Sequence, residues 1–329
     1  MPPHRTPLAV LVLLAGLSAV PASARDLKVA VTIKPIHALT AAIMEGAGSP
    51  TLIVDGQASP HTFALKPSAA REIFAADIFI RVGPGIEPWA NRLIESIRVP
   101  VITLVETPGL TLLDRRTGAS FEPHEHGTEE AHHDEPGDDH DHDSKDHDGK
   151  DHDGKDHDSK DGHIWLDPHN AAIIADTIAD FLGGKDPEHA ALYQANATRL
   201  KARLTALDTA IAGEMSPLKG RPFIVFHDAT QYFEARYGLQ ALGSVTVSPD
   251  VQPSAKRLSE LRAKISAANA ACVFAEPYLN PRLIEVVTEG SASRAGTLDP
   301  EALALAPGPD LYFTLMRAMA KSFTTCLSP

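Results

Sequence analysis

This chain has few long apolar stretches, no excess of basic residues and only two cysteines. Each of these features excludes some classes of protein. Beyond the first 24 of its 329 residues, no run approaches the roughly 20 apolar residues that a transmembrane helix needs. We therefore expect a soluble mature protein. Lysine and arginine number 30 against 43 aspartates and glutamates. No basic patch of the kind that nucleic acids require is present, which excludes nucleic-acid binding.

The N terminus has the three parts of a secretory signal peptide. His4 and Arg5 give a weakly basic start, residues 8–20 are small and apolar, and residues 22–24 form an A-x-A cleavage site. We expect residues 1–24 to be removed and the mature protein to work in the periplasm. No cysteine lies near the cleavage point, which argues against a lipid anchor.

The only two cysteines, Cys272 and Cys326, both lie in the C-terminal third of the chain. An even number of cysteines downstream of an export signal predicts a disulfide, because the periplasm permits oxidation. Closing a loop of about 55 residues is worth about 4 kcal/mol on the chain-entropy account. The alternative is a pair of buried free thiols.

The pattern of short apolar, β-prone runs alternating with helical segments predicts an α/β fold with two parallel-sheet domains. We assign residues 25–185 to an N-terminal domain and residues 216–329 to a C-terminal domain. A single rigid helix, residues 186–215, links them, starting with an Asp cap and Pro at its first position. The strands are expected at 28–33, 51–54, 77–82, 101–104, 222–226, 239–245, 271–275 and 294–298.

One segment, residues 122–162, differs from the rest in composition. It holds 17 acidic residues and four lysines and therefore the whole net charge of −13, since the remainder has 26 of each sign. It almost lacks aliphatic residues, which predicts a disordered loop inserted in the N-terminal domain. Nine of the sixteen histidines lie in it, interleaved with carboxylates, and they are His124, His126, His132, His133, His140, His142, His147, His152 and His157.

Imidazoles interleaved with carboxylates are ligands for Zn2+ and its neighbours, so this His-rich segment is predicted to provide several weak accessory metal sites. We expect it to gather Zn2+ when the ion is scarce and to pass it to the folded body. The alternative is a solvated acidic tether whose histidines have no specific role.

Three histidines outside the segment follow strands or begin helices. His61 lies in a turn-rich loop after one expected strand, His163 precedes the helix that starts at Pro168, and His227 directly follows the apolar run 223–226. In open α/β sheets, ligands bind beyond the carboxyl ends of strands. These histidines are therefore expected to meet in the interdomain cleft as a metal site. Asp299, which follows the last expected strand, is a candidate fourth ligand, with water as the alternative.

A series of short motifs runs along the chain. In chain order they are Ile33-Lys34-Pro35, Ser59-Pro60-His61, Leu65-Lys66-Pro67-Ser68, Val82-Gly83-Pro84, Glu87-Pro88-Trp89, His163-Ile164-Trp165-Leu166-Asp167-Pro168, Phe226-His227-Asp228, Cys272-Val273-Phe274-Ala275-Glu276-Pro277 and Gly296-Thr297-Leu298-Asp299-Pro300. Over residues 27–327 this order resembles the zinc-uptake binding proteins of the ZnuA type, within the metal-binding cluster of ABC-transporter solute-binding proteins.

The resemblance implies two α/β domains joined by a rigid helix, with Zn2+ held in the cleft by His61, His163 and His227. It also implies a carboxylate ligand at Asp299, the position that supplies one in other members. Pro60 stands where some zinc-type relatives have an acidic residue. Manganese-type relatives replace one histidine by a carboxylate, so the histidine at 227 favours Zn2+ over Mn2+.

The resemblance further implies a monomer without enzymatic activity, which carries Zn2+ as its ligand to a cognate ABC permease and its ATPase. Two alternatives stay open at this point. A secreted zinc hydrolase also has three histidines and an open position, but the sequence contains no H-E-x-x-H motif. A periplasmic metal buffer or adhesin would use the same site without a transporter.

Overall fold

The computed structural model describes residues 26–116, 121, 159–246, 252–277 and 281–329. The signal peptide expected at 1–24 and all nine histidines of the His-rich segment lie outside these residues. Two parallel four-stranded sheets form the frame, so the predicted α/β class with two sheets is confirmed. We call residues 26–185 the first half and residues 216–329 the second half.

The first half contains β1 (Val29–Val31), β2 (Thr51–Leu52), β3 (Ile78–Arg81) and β4 (Val101–Thr103) in the order β2-β1-β3-β4. The helices α1 (Lys34–Ile43), α2 (Pro67–Ala75) and α3 (Asn91–Ser96) connect successive strands. The chain moves from β1 to one side and then returns past it to β3. The carboxyl ends of β1 and β3 therefore flank a switch point, the usual place for a ligand.

The second half repeats this arrangement with β5 (Phe223–Val225), β6 (Ala241–Ser244), β7 (Cys272–Ala275) and β8 (Arg294–Thr297), in the order β6-β5-β7-β8. Its helices are α6 (Gln231–Tyr237), α7 (Ala255–Ala267), α8 (Pro281–Thr288) and α9 (Leu311–Leu327). All eight strands fall within the expected ranges. Buried apolar runs bounded by turns, as in 223–225, are the reason that the inner strands were predictable, whereas the edge strand β8 is mostly exposed.

Two long helices lie between the two sheets in the chain: α4 is the last helix of the first half, and α5 links the halves. α4 (Pro168–Lys185) begins with Asp167 as its N-cap, whose carboxylate accepts the amide of His169. α5 (Ala190–Met215) packs on α1 and α4 and also on α9. One core cluster is shared by both halves, with members such as Ile36 and Phe323.

The linker helix begins later than the sequence predicted, at Ala190 instead of at Pro187 directly after an Asp186 cap. Asp186 does not cap it in the expected way. Its carboxylate accepts the ring Nδ1–H of His189 at 2.7 Å and the hydroxyl of Tyr193 at 2.8 Å. These side-chain contacts hold residues 186–189 as a turn, which delays the first regular helical residue.

The described chain resumes at Ser159, ahead of residue 162, where the predicted loop ends. An isolated antiparallel bridge joins Asp114 and Lys160, and the Lys160 ammonium pairs with the Asp114 carboxylate at 2.6 Å. The amide of Asp161 donates to the carbonyl of Leu113 at 2.9 Å. Residues 159–162 therefore belong to the folded body, where they lead directly into His163.

Cys272 and Cys326 form the predicted disulfide, which links β7 to the end of α9. Both residues are buried among the aromatic side chains of the second half. Among the described residues, no helix combines the length and hydropathy that crossing a bilayer requires.

Candidate metal centre

The three histidines predicted from their strand-end positions do meet. His61 comes from the loop between β2 and α2, His163 from the residues before α4, and His227 from the carboxyl end of β5. Their ring centroids lie 5.4 Å (61 to 163), 5.8 Å (61 to 227) and 5.4 Å (163 to 227) apart. One ligand atom from each, together with a carboxylate oxygen of Glu301, falls within 4.8 Å of the others.

Each imidazole is oriented through its Nδ1 atom. Nδ1 of His61 lies 3.2 Å from the carbonyl oxygen of Gly85, and Nδ1 of His163 lies 2.6 Å from Oδ1 of Asp161. Nδ1 of His227 lies 2.5 Å from Oε1 of Glu276. All three partners are acceptors, which places the proton of each neutral ring on Nδ1 and the lone pair on Nε2.

The three Nε2 atoms are buried, and none has a hydrogen-bond partner among the described residues. Buried polar atoms nearly always have a hydrogen-bond partner, so three buried atoms without one in the same place need an explanation. In proteins that hold Zn2+, the Nε2 lone pairs of several histidines converge on the ion, while the Nδ1 atom of each ring is held by a hydrogen-bond acceptor. The three histidines have this arrangement. The chemistry of the donor set therefore fits a metal cation.

Glu301 supplies the carboxylate of this group. It lies in the loop after β8 and is 5% exposed, with Oε1 at 3.3 Å from Nε2 of His61. Ser59 Oγ donates to the same oxygen at 3.2 Å. Burial favours the neutral acid, but the neighbouring histidines, His61 foremost, favour the carboxylate and hold the pKa of Glu301 below its ordinary value. Glu301 is thus available as an anionic ligand.

Asp299, the fourth ligand expected from the sequence, is not part of this group. Its two carboxylate oxygens accept the backbone amides of Leu303 and Ala304, both at 2.8 Å. The chain after β8 turns back on itself, and the Asp299 side chain closes that turn instead of facing the histidines. The turn brings Glu301, two residues further on, to the position expected for Asp299.

Glu276 was visible in the sequence only as a carboxylate after a strand, and the structure gives it a role. It follows β7, the neighbour of β5, and accepts both Nδ1–H and the backbone amide of His227. Burial disfavours the imidazolium form of His227, but the charge and hydrogen bond of Glu276 outweigh burial. They raise the pKa of His227 to about 9.

Asp228, the chain neighbour of His227, serves a different partner. Its carboxylate binds the guanidinium group of Arg116, which also pairs with Glu234 at 2.9 Å. The guanidinium carbon of Arg116 lies 3.9 Å from the ring centroid of Phe121. Arg116 precedes the His-rich segment in the chain, so this network ties the described chain ahead of the segment to the second half.

A buried carboxylate also supports His61. Glu87 is fully buried beyond the ends of β1 and β3, where it accepts the hydroxyl of Thr32 and the amides of Val82 at 3.1 Å and Gly83 at 2.9 Å. Burial raises the pKa of Glu87 above its ordinary value. These bonds fix the turn that presents the Gly85 carbonyl to His61.

Comparison with known proteins identifies the family of this chain. The family model described as zinc-uptake complex component A, periplasmic, matches residues 29–326. The high-affinity zinc uptake system protein ZnuA of Brucella suis biovar 1 is 45% identical over 305 residues, 91% of each chain. The protein of the same name from Paracoccus denitrificans is 38% identical over 316 residues, 95% of each chain.

A solved crystal structure of ZnuA superimposes with a TM-score of 0.72 and 24% identity, covering 92% of this chain and 100% of that one. This likeness shows the fold alone. The family match and the identity of the relatives extend over nearly all of the described chain. The chain therefore belongs to the ZnuA family of periplasmic zinc-uptake components.

Proposed function

We propose that this protein captures Zn2+ in the periplasm and delivers it, as a monomer, to a cognate ABC permease driven by its ATPase. The proposal assigns the ion to His61, His163, His227 and Glu301, with Zn2+ as transported cargo. The supporting observation is the set of three buried Nε2 atoms without partners that converge on one buried carboxylate. The names of the relatives support the same reading.

The donor set favours Zn2+ over harder ions. Three imidazole nitrogens and one carboxylate oxygen suit a tetrahedral Zn2+ ion, whereas Mn2+ prefers a larger number of oxygen ligands. Cu2+ and Ni2+ also bind imidazole strongly, so discrimination against them depends on geometry and on metal supply. With all four positions filled by protein, no site is reserved for a catalytic water. This argues for capture over hydrolysis.

A competitive titration with a chromophoric chelator tests the site. We expect the metal-free mature protein to bind one tight equivalent of Zn2+ that excess Mn2+ does not displace. His227→Ala removes a ligand and should abolish that equivalent. His169→Ala is the matched control, because His169 is exposed at the start of α4 and lies outside the cluster. Tight binding that survives His227→Ala would contradict the assignment.

Delivery is tested separately from binding. Cells that lack this protein should regain growth in zinc-poor medium when it is restored, but only when the permease is also present. Rescue without the permease would favour the periplasmic buffer, and rescue by the His227→Ala variant would contradict any role for the cluster.

We propose an accessory role for the His-rich segment as well. Its nine histidines would bind further zinc ions weakly and raise the local supply to the central site. The segment is attached beside that site, since Asp161, which orients His163, belongs to the stem where the described chain resumes. Unchanged uptake at limiting zinc after replacing all nine histidines by serine would contradict this role.

A further inference from the structure

The turn that carries Glu301 is held in place by donors from the first half of the protein. The Lys34 ammonium donates to the carbonyls of Leu303 and Leu305, both at 2.9 Å. The indole Nε1–H of Trp165 donates to the carbonyl of Pro300 at 2.9 Å. Three carbonyls on either side of Glu301 are therefore fixed by side chains that do not belong to the second half.

The turn has few restraints from regular structure of its own. Beyond β8 it is closed internally by the Asp299 carboxylate and by backbone bonds from Ala302 to Asp299 and from Leu305 to Ala302. Ala302 has φ of 58°, in the left-handed region. Such a conformation costs a residue with a Cβ about 1–2 kcal/mol and persists only where surrounding contacts impose it. The external donors supply such contacts.

Burying the Lys34 ammonium costs free energy of desolvation, which is unusual for a contact with a purely structural role. It opens α1, only 5% of its surface is exposed, and its ammonium group is desolvated. A buried ammonium is tolerated only when hydrogen bonds compensate it. The two carbonyls of the Glu301 turn provide that compensation, and the carboxylates of Asp55 and Asp299 add favourable charge. The turn that carries Glu301 therefore stabilises the buried Lys34 ammonium, and the ammonium in turn holds two carbonyls of that turn in place.

We propose that Lys34 is a positioning residue for the fourth metal ligand, acting through the 303 and 305 carbonyls to hold the Glu301 carboxylate against the three histidines. The inference rests on the proposed metal-binding function. Under this proposal the three histidines are oriented by the acceptors of their own Nδ1 atoms. The Glu301 carboxylate is instead oriented by contacts that cross from the first half to the second. Loss of Lys34 should therefore remove Glu301 from the metal and leave the histidines in place.

Co2+ provides the test, because its visible spectrum reports the number and type of ligands. The full mature chain is titrated with Co2+ and then with Zn2+ as wild type, Lys34→Met, Glu301→Gln and the double variant. We expect Lys34→Met to weaken binding about 10–100-fold, the usual effect of losing a group that orients a ligand. Its Co2+ spectrum should match that of Glu301→Gln. The double variant should bind like Glu301→Gln alone, since coupled residues are not additive.

Lys201→Met is the matched control, because the Lys201 ammonium is 38% exposed and pairs with Asp176 away from the metal cluster. Weaker binding by Lys34→Met with the wild-type spectrum, or additive losses in the double variant, would overturn the proposal. If Lys34→Met does not fold, Lys34→Gln provides a second variant that is polar but shorter and uncharged, and wild-type affinity with the wild-type spectrum there would overturn the proposal equally. A wild-type chain without a tight metal site would refute the proposed function instead.

Discussion

Replacing Glu276 by glutamine tests how this protein controls the proton on His227, a proposed metal ligand. The Glu276 carboxylate accepts Nδ1–H and the backbone amide of His227, and it is the main reason that the pKa of His227 rises to about 9. Glutamine keeps the size and one acceptor oxygen but removes the charge. With burial then less opposed, the pKa of His227 should return toward or below its ordinary value.

The magnitude follows from the pKa difference. The ordinary value for histidine is about 6.5, and each pKa unit corresponds to about 1.4 kcal/mol, so a pKa of about 9 represents about 3 kcal/mol in favour of the imidazolium. At pH 7 a metal ion must displace this proton. The apparent affinity of the wild type at pH 7 should then lie about 50-fold below its value at pH 9, where half of the rings are still protonated, and it should rise by up to about tenfold per pH unit between them.

The stability of the metal-free protein changes in the opposite sense. Because the folded pKa of His227 exceeds the unfolded one, the pair with Glu276 stabilises the fold fully below about pH 6.5, and this stabilisation is lost as pH rises toward 9. The free energy of unfolding should therefore fall by up to about 3 kcal/mol over this range in the wild type and by much less in Glu276→Gln.

Zinc affinity measured by chelator competition from pH 6.5 to 9 tests whether Glu276 sets the pH dependence of zinc binding. Glu276→Gln should bind about 10–100-fold more weakly at pH 9, because the carboxylate also increases the basicity of its histidine. Its affinity should be nearly flat above pH 7, where the wild type rises. The other ligands are common to both proteins and contribute equally. Equal slopes for the two proteins between pH 7 and 9 would refute the reasoning.

Three further outcomes follow from the described contacts. Replacing Cys272 and Cys326 together by alanine should lower the free energy of unfolding by about 4 kcal/mol in urea titrations, from the 54-residue separation that the disulfide spans; a loss under about 1 kcal/mol would contradict it. Arg116→Met leaves two buried carboxylates without their cation and should cost about 3–5 kcal/mol, whereas the exposed Arg262→Met should cost under about 1 kcal/mol in the same titration. Exchanging the nine histidines within 124–157 for serine should remove weak zinc equivalents and keep the tight one, as calorimetry can count.

Local patterns in the sequence were sufficient for the frame of this protein. Apolar runs bounded by turn residues predicted inner strands such as β3 and β5, because a parallel strand buried on both faces is largely apolar. The edge strand β8 is mostly exposed, and its place in the alternation of strands and helices predicted it instead. The linker helix starts three residues later than predicted, since Asp186 bonds to side chains of His189 and Tyr193 and holds a turn first. Helix starts depend on such capping contacts, which spacing alone does not reveal.

The site divides in the same way. The sequence by itself determined that His61, His163 and His227 would meet, since each follows a strand end or begins a helix at the edge where parallel strands place their ligands. Only the tertiary structure selected Glu301 over Asp299, because a turn closed by Asp299 and held by Lys34 from the other half reverses the chain between them. Such long-range contacts leave no periodic trace in the sequence. The sequence pattern therefore predicts the ligands that lie at the ends of regular elements. Only tertiary packing determines which residues orient those ligands.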